Sequence, residues 1–344
     1  VSKLAHAYPE EIIQAAEKHV RDILSLAIKH TPDKRAVIVA DAECTLAITL
    51  AEAYQRCLPD AAFFDFYAAG PEAITAAFAP LSPSDLVILI QSSSFRLNAF
   101  RLRVELFERG LKVIEHPHLG RMTETEGKHY IESLAYDADY YHSRGHTLKK
   151  YIDAASSGVV ESGGEKLIFD SAFESAKLNI GDYSEMKNIG GQFPIGEVFT
   201  EAKDLASVNG RVRIFAFGDT TFAVHKPAEP ITLVINKGQV TDVINSIPEF
   251  DIVLANIRAD EKVVWLRELG FGLNRAFTKD KIVTDIGTYE RMCGVHLSLG
   301  AKHTVYKKPG FTRSNAWHHV DVFVDTHYVM LDDRMVYEES AWVK

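Results

Sequence analysis

Hydrophobic positions follow two different rhythms along this chain. From Glu10 to Lys29 the apolar residues Ile12, Ile13, Ala16, Val20, Ile23 and Leu24 recur at helical spacing. Ala36-Val37-Ile38-Val39-Ala40 is then a continuous apolar run, the pattern of a strand covered on both faces in a parallel sheet. The pattern predicts a helix over Thr45–Cys57, a strand over Ala61–Phe66, a second apolar strand over Leu86–Ile90, a helix from Asn98 to Arg109 and a strand from Leu111 to Glu115. Gln91-Ser92-Ser93-Ser94 reads as a loop with a helix cap, with hydroxyls for a ligand at a strand end as the alternative. His116 and His118, around Pro117, read as loop residues. Alternating βα units of this length predict an open, mostly parallel sheet.

From about Lys149 the rhythm changes. A helix to Ala155 gives way to short strands broken by glycine: Val159–Glu161, Lys166–Phe169, Val212–Phe217, Ile231–Asn236 and Ile252–Ala255. Gly163-Gly164 marks a turn, and Lys237-Gly238 a hairpin between Ile231–Asn236 and Val240. The expected fold class is therefore an α/β N-terminal domain with a mostly parallel open sheet over residues 1–148. An α+β, largely antiparallel C-terminal domain over residues 149–344 would carry the metal site. A chain of 344 residues has room for two cores.

Composition narrows the function. A net charge of −9 argues against a general nucleic-acid binder. No apolar run reaches the roughly 18 residues of a membrane span, and Val1-Ser2-Lys3 opens no signal-peptide core. Cys44, Cys57 and Cys293 are three thiols at unrelated spacings, which fits a reducing compartment rather than disulfides or a cysteine zinc site. These features predict a cytoplasmic protein with neither a membrane nor a nucleic-acid partner. After the first strand, Ala40-Asp41-Ala42-Glu43-Cys44 is acidic and lacks glycine, so no phosphate cradle is expected there.

Candidate chemistry lies in the second half. Glu197, Glu268, His296, His319 and Asp321 each sit among apolar and small residues, as in Pro194-Ile195-Gly196-Glu197-Val198-Phe199 and Gly294-Val295-His296-Leu297. Charged groups rarely go inside unless paired or bound to metal. Taken singly, these five read as an edge-strand carboxylate, a helix-face charge, a core histidine and an exposed strand face; taken as a set they read as a metal site. Carboxylates with imidazoles suit zinc, cobalt, manganese or iron. In an extended strand His319 and Asp321 share one face, with Cβ atoms roughly 7 Å apart, while His318 points the other way.

The order Pro-x-Gly-Glu-Val-Phe-Thr, Glu-Leu-Gly-x-Gly-Leu-Asn, Gly-x-His-Leu-x-Leu-Gly and His-x-Asp, from Gly190 to Asp321, resembles the thermophilic metalloaminopeptidase family of the aminopeptidase T and aminopeptidase S type. The resemblance implies two adjacent divalent ions (zinc, cobalt or manganese) held by Glu197, Glu268, His296, His319 and Asp321, with Glu268 bridging, in a homodimer. A short branch of the same family contains dihydroxypyridine dioxygenase-like proteins. There the implied centre is one Fe(II) held by His296, His319 and Asp321, a triad that leaves positions open for oxygen and substrate. Where the peptidases have tyrosine, seven residues beyond the first histidine ligand, this chain has His303, with Tyr306 three residues on.

The leading expectation is a hydrolase that removes N-terminal residues from short peptides or related amides, since a dinuclear site makes water a competent nucleophile. The base would be Glu197, Glu268 or His303, and His303, Tyr306 and Arg313 would meet the substrate or the developing oxyanion. Lys307, Lys308 and Arg313 equally fit an ordinary solvated loop. The alternatives are a ring-cleaving Fe(II) dioxygenase acting on a small hydroxylated aromatic and a non-catalytic binding protein. Retention of both Glu197 and Glu268 favours the dinuclear reading, because a mononuclear triad needs neither.

Overall fold

The structure is a computed structural model that describes residues 5–94 and 102–343. The chain divides into two compact units. One takes Val1–Asp139 with Gly181–Ile195, and the other takes Tyr140–Ile180 with Gly196–Lys344.

The first unit is built on a five-stranded sheet in the order Ala62–Asp65, Ala36–Ala40, Leu86–Ile90, Lys112–His116, Gly190–Gln192, with every neighbouring pair parallel. Both apolar runs read from the sequence are inner strands, and Leu86–Ile90 is buried at every position. Val37, Val39, Val87, Leu89 and Val113 pack with Ile74, Phe78, Leu102 and Leu106 of the helices Phe66–Phe78 and Leu102–Glu108. Deleting one such side chain, as in Leu89→Ala, costs about 2–5 kcal/mol. The helix Thr45–Cys57 forms over the predicted residues. The first helix, Glu10–Asp22, continues as a wider π-type turn over Ile23–Ala27. Part of the predicted helix Asn98–Arg109 lies outside the described residues, and Leu102–Glu108 is helical.

One expectation for this unit fails. His116 is not a loop residue but the last residue of the strand Lys112–His116, with 0 % exposure. Its Nε2 and Nδ1 lie 2.8 Å from the hydroxyls of Tyr54 and Tyr130, and Tyr130 donates in turn to the Phe193 carbonyl at 2.8 Å. Burial pushes its pKa down to about 3.

The second unit carries a fourteen-stranded sheet whose neighbouring strands pair antiparallel. Its relevant stretch runs Val208–Gly218, Val320–Val324, Gly294–Leu299, Leu266–Gly272, Glu197–Glu201, Lys177–Asn179. Lys237 and Gly238, at φ 50° and 73°, make the predicted hairpin turn, where positive φ favours glycine. The strand expected at Ile252–Ala255 is instead part of the helix Pro248–Glu261. A short apolar run cannot by itself separate strand from helix. Here Pro248 at the first turn, acidic Glu249 and Asp251 after it, and buried Phe250, Val253, Leu254 and Ile257 decide for helix. Among the described residues no helix is long and apolar enough to cross a membrane, and the three cysteines are free thiols.

Candidate metal centre

Strand register brings the five candidate donors to one sheet face. Gly272 pairs with Glu197, Gly270 with Phe199 and Glu268 with Glu201, so Glu197 and Glu268 share a face with Gly270. Gly270 also pairs with His296, and Ser298 pairs with Asp321, which carries His296 and Asp321 to that same face. His319, just before the strand Val320–Val324, joins them with Glu268 and Asp321. The close approach depends on Gly270, since a Cβ there would sit 2.0 Å from His296 Nε2.

The donors converge as two groups with one member in common. Glu197, Glu268 and His296 form one, and Glu268, His319 and Asp321 the other, each with donor atoms within 4.8 Å of one another. His296 Nε2 lies 3.2 Å from Glu197 Oε1 and 3.3 Å from Glu268 Oε1, and His319 Nε2 lies 3.2 Å from Asp321 Oδ1. His319 Nδ1 is 3.0 Å from the Lys302 carbonyl. A proton on Nδ1 satisfies that carbonyl and leaves the Nε2 lone pair facing the cluster, the usual arrangement of a metal-binding imidazole.

The structure places the remaining predicted residues unevenly. His303 joins the cluster: its Nε2 lies 2.9 Å from Glu268 Oε2, off the line of a hydrogen bond. Its ring packs 5.0 Å from that of Tyr306 and 5.9 Å from that of His319. The Tyr306 hydroxyl is spent elsewhere, donating to the Ser175 and Phe199 carbonyls at 2.8 and 3.2 Å. Arg313 is exposed on a turn. Sequence reasoning missed Arg291, a buried guanidinium whose Nη1 reaches Glu197 Oε2 at 3.1 Å and also pairs with Glu290. An arginine beside a glutamate in sequence looks like any surface pair, so no signal marked it.

Electrostatics bind the cluster tightly. Burial alone would raise Glu268, but contact with His296 and His303 and the charge of His319 hold it below the usual carboxylate range. Burial would likewise lower both imidazoles. Glu197 and Glu268 instead lift His296 well above its ordinary value, and Asp321, then Glu268, push His319 up to about 10. Burial pushes Glu290 up to about 8 against the pull of Arg291, with Glu197 and Asp321 adding to the rise. Such mutual dependence is what a set of facing carboxylates and imidazoles does when only protons mediate between them. Three buried atoms of the clustered acids and imidazoles, Asp321 Oδ1, His303 Nε2 and His296 Nδ1, have no hydrogen-bond partner. Mixed oxygen and nitrogen donors with unmet lone pairs fit a divalent cation.

No family model and no curated protein matches the chain. Among solved structures the fold matches 2,5-dihydroxypyridine dioxygenase from Pseudomonas putida KT2440, at TM-score 0.62 and 16 % identity over 96 % of each chain. It also matches wild-type AmpT from Thermus thermophilus, at TM-score 0.59 and 13 % identity over 96 % of this chain and 99 % of that one. The chain shares the fold of both proteins.

Proposed function

We propose that this protein is a metal-dependent hydrolase of the aminopeptidase kind, acting at the N-terminal residue of short peptides or related amides. The single observation that carries this reading is the pair of donor groups that share Glu268, because a common carboxylate is what a dinuclear centre requires and a mononuclear one does not. Fold alone does not choose between peptide hydrolysis and ring cleavage, since a dioxygenase and AmpT both carry it; the donor set is what favours hydrolysis in this reading.

Glu197 and His296 would hold one ion, His319 and Asp321 the other, and Glu268 both. Divalent ions there supply Lewis acidity that polarises a carbonyl and lets water react at neutral pH. The chain's own residues do the rest. Arg291 holds Glu197 Oε2 and so presents Oε1 to the cluster. His303, beside Glu268 Oε2, is placed to take a proton and return it to a leaving amine. Tyr306 supports the His303 ring rather than acting through its hydroxyl.

The test is elemental analysis after anaerobic purification, followed by aminoacyl p-nitroanilide hydrolysis with zinc, cobalt or manganese. About two such ions per chain with amine release are expected. One iron per chain with oxygen-dependent cleavage of a dihydroxylated aromatic would overturn the reading in favour of the dioxygenase, and no metal uptake would overturn both.

A further inference from the structure

Among the described residues the largest fully buried side chain is a cation, Arg267, at 1 % exposure. It precedes Glu268 on the strand Leu266–Gly272, and its donors leave that strand in two directions. Nε donates to Glu201 Oε2 at 2.6 Å. Nη1 donates to the Ala301 carbonyl at 2.5 Å and Nη2 to the Tyr306 carbonyl at 3.2 Å, while the guanidinium carbon Cζ lies 4.4 Å from the centre of the Phe311 ring. Ala301, Tyr306 and Phe311 all belong to the connection between the strands Gly294–Leu299 and Val320–Val324, and His303 lies between the two gripped carbonyls.

A buried guanidinium is expensive to desolvate. Replacing a buried ion pair as a whole with apolar side chains of similar volume is often neutral or stabilising, so the presence of the Arg267–Glu201 pair asks for a reason beyond stability. Other anchors also hold the connection, among them the Lys302 carbonyl at His319 Nδ1. Glu261 accepts from the amides of Ala301, Trp317 and His318 at 2.6–2.7 Å. Lys308 reaches Glu174 and the carbonyls of Ala202 and Lys203. Arg267 donates to carbonyls on both sides of His303 and is covalently adjacent to the carboxylate that His303 faces.

We infer that Arg267 is a positioning residue that fixes where the His303 imidazole meets Glu268. The inference rests on the metal-centre reading for its functional meaning, but the clamp itself can be read without metal. In metal-free protein the ring nitrogen and proton resonances of His303 report its placement. Arg267→Met is expected to move them while leaving those of His116 in place. Cobalt(II) titration then reads the consequence: Arg267→Met and His303→Ala each weaken affinity by roughly 10–100-fold, the range for losing a group that orients a ligand. The double variant should be no weaker than His303→Ala alone, because the effect of Arg267 passes through His303. Should Arg267→Met fail to fold, Arg267→Lys keeps a cation at Glu201 yet cannot span both carbonyls and serves the same measurements. Unmoved His303 resonances, or losses that multiply in the double variant, would overturn the inference. Resonances that move in Arg267→Met, beside a wild-type protein that takes up no cobalt, would keep the clamp and sink the metal reading instead.

Discussion

His116 and His296 are equally shut away from solvent, at 0 % and 1 % exposure, and their partners make them opposites. His116 lies between two tyrosine hydroxyls that serve either ring nitrogen, so its cheapest state is neutral and burial drives its pKa down. His296 faces Glu197 and Glu268, so in the absence of a cation its cheapest state is charged, and its Nδ1 has no partner. Burial of a titratable group is thus no sign of chemistry by itself. What marks a site is burial among partners whose own charge asks for more than one proton can supply.

The sharpest way to break this contrast is to remove the shared carboxylate. Glu268→Gln should lower metal affinity by at least about 100-fold, the upper end of what losing even an outer partner does, and bring the metal content below two ions per chain by elemental analysis. Next in size is Gly270→Ala. The added methyl meets the His296 ring, so we expect about 1–3 kcal/mol of lost stability from overpacking, together with weaker metal uptake in a cobalt titration. A comparable insult at the other histidine separates the two regions. His116→Leu leaves the Tyr54 hydroxyl buried without its partner and should cost about 1–3 kcal/mol in urea unfolding while metal content stays at the wild-type level. A loss of metal in that variant would erase the distinction.

The last effect is a slope. His116 takes a proton at about 3 when folded, whereas an unfolded imidazole takes one near 6.5. The unfolded chain therefore binds a proton that the folded one refuses. The stabilisation is intact above about pH 6.5 and drains away as pH falls toward 3, at about 1.4 kcal/mol per pH unit. Comparing the pH dependence of stability in wild type and His116→Leu isolates it, and equal slopes would show that His116 is not held neutral.

Much of this was legible in the chain before any coordinates. Strands covered on both faces announce themselves as continuous apolar runs, which is why Ala36–Ala40 and Leu86–Ile90 were readable. The site's acids and imidazoles stood out because they interrupt residues that favour burial, and the two-residue spacing of His319 and Asp321 already put them on one face. What sequence could not carry was register. The meeting of Glu268 with His296 depends on how two strands slide past one another and the whole cluster on four, and Arg267 and Arg291 differ from surface arginines only in what they touch. The run Ile252–Ala255 misled for a related reason, since its four residues are too few to express a period.

The Gly190–Gln192 strand has a consequence for how this protein is made. It supplies the outer edge of the first sheet, with the Ile189 carbonyl accepting from the Val113 amide at 3.1 Å and the Phe193 carbonyl accepting from Tyr130. It is synthesised only after the helix Ala138–Ala154 and the hairpin strands Gly158–Ser162 and Glu165–Phe169 have been added. On the ribosome the first sheet must wait, with Lys112–His116 as a bare edge, while part of its neighbour is already emerging. A gene fragment ending at Asp139 would freeze that waiting state, and any attempt to express the first unit alone has to bring residues 181–195 with it.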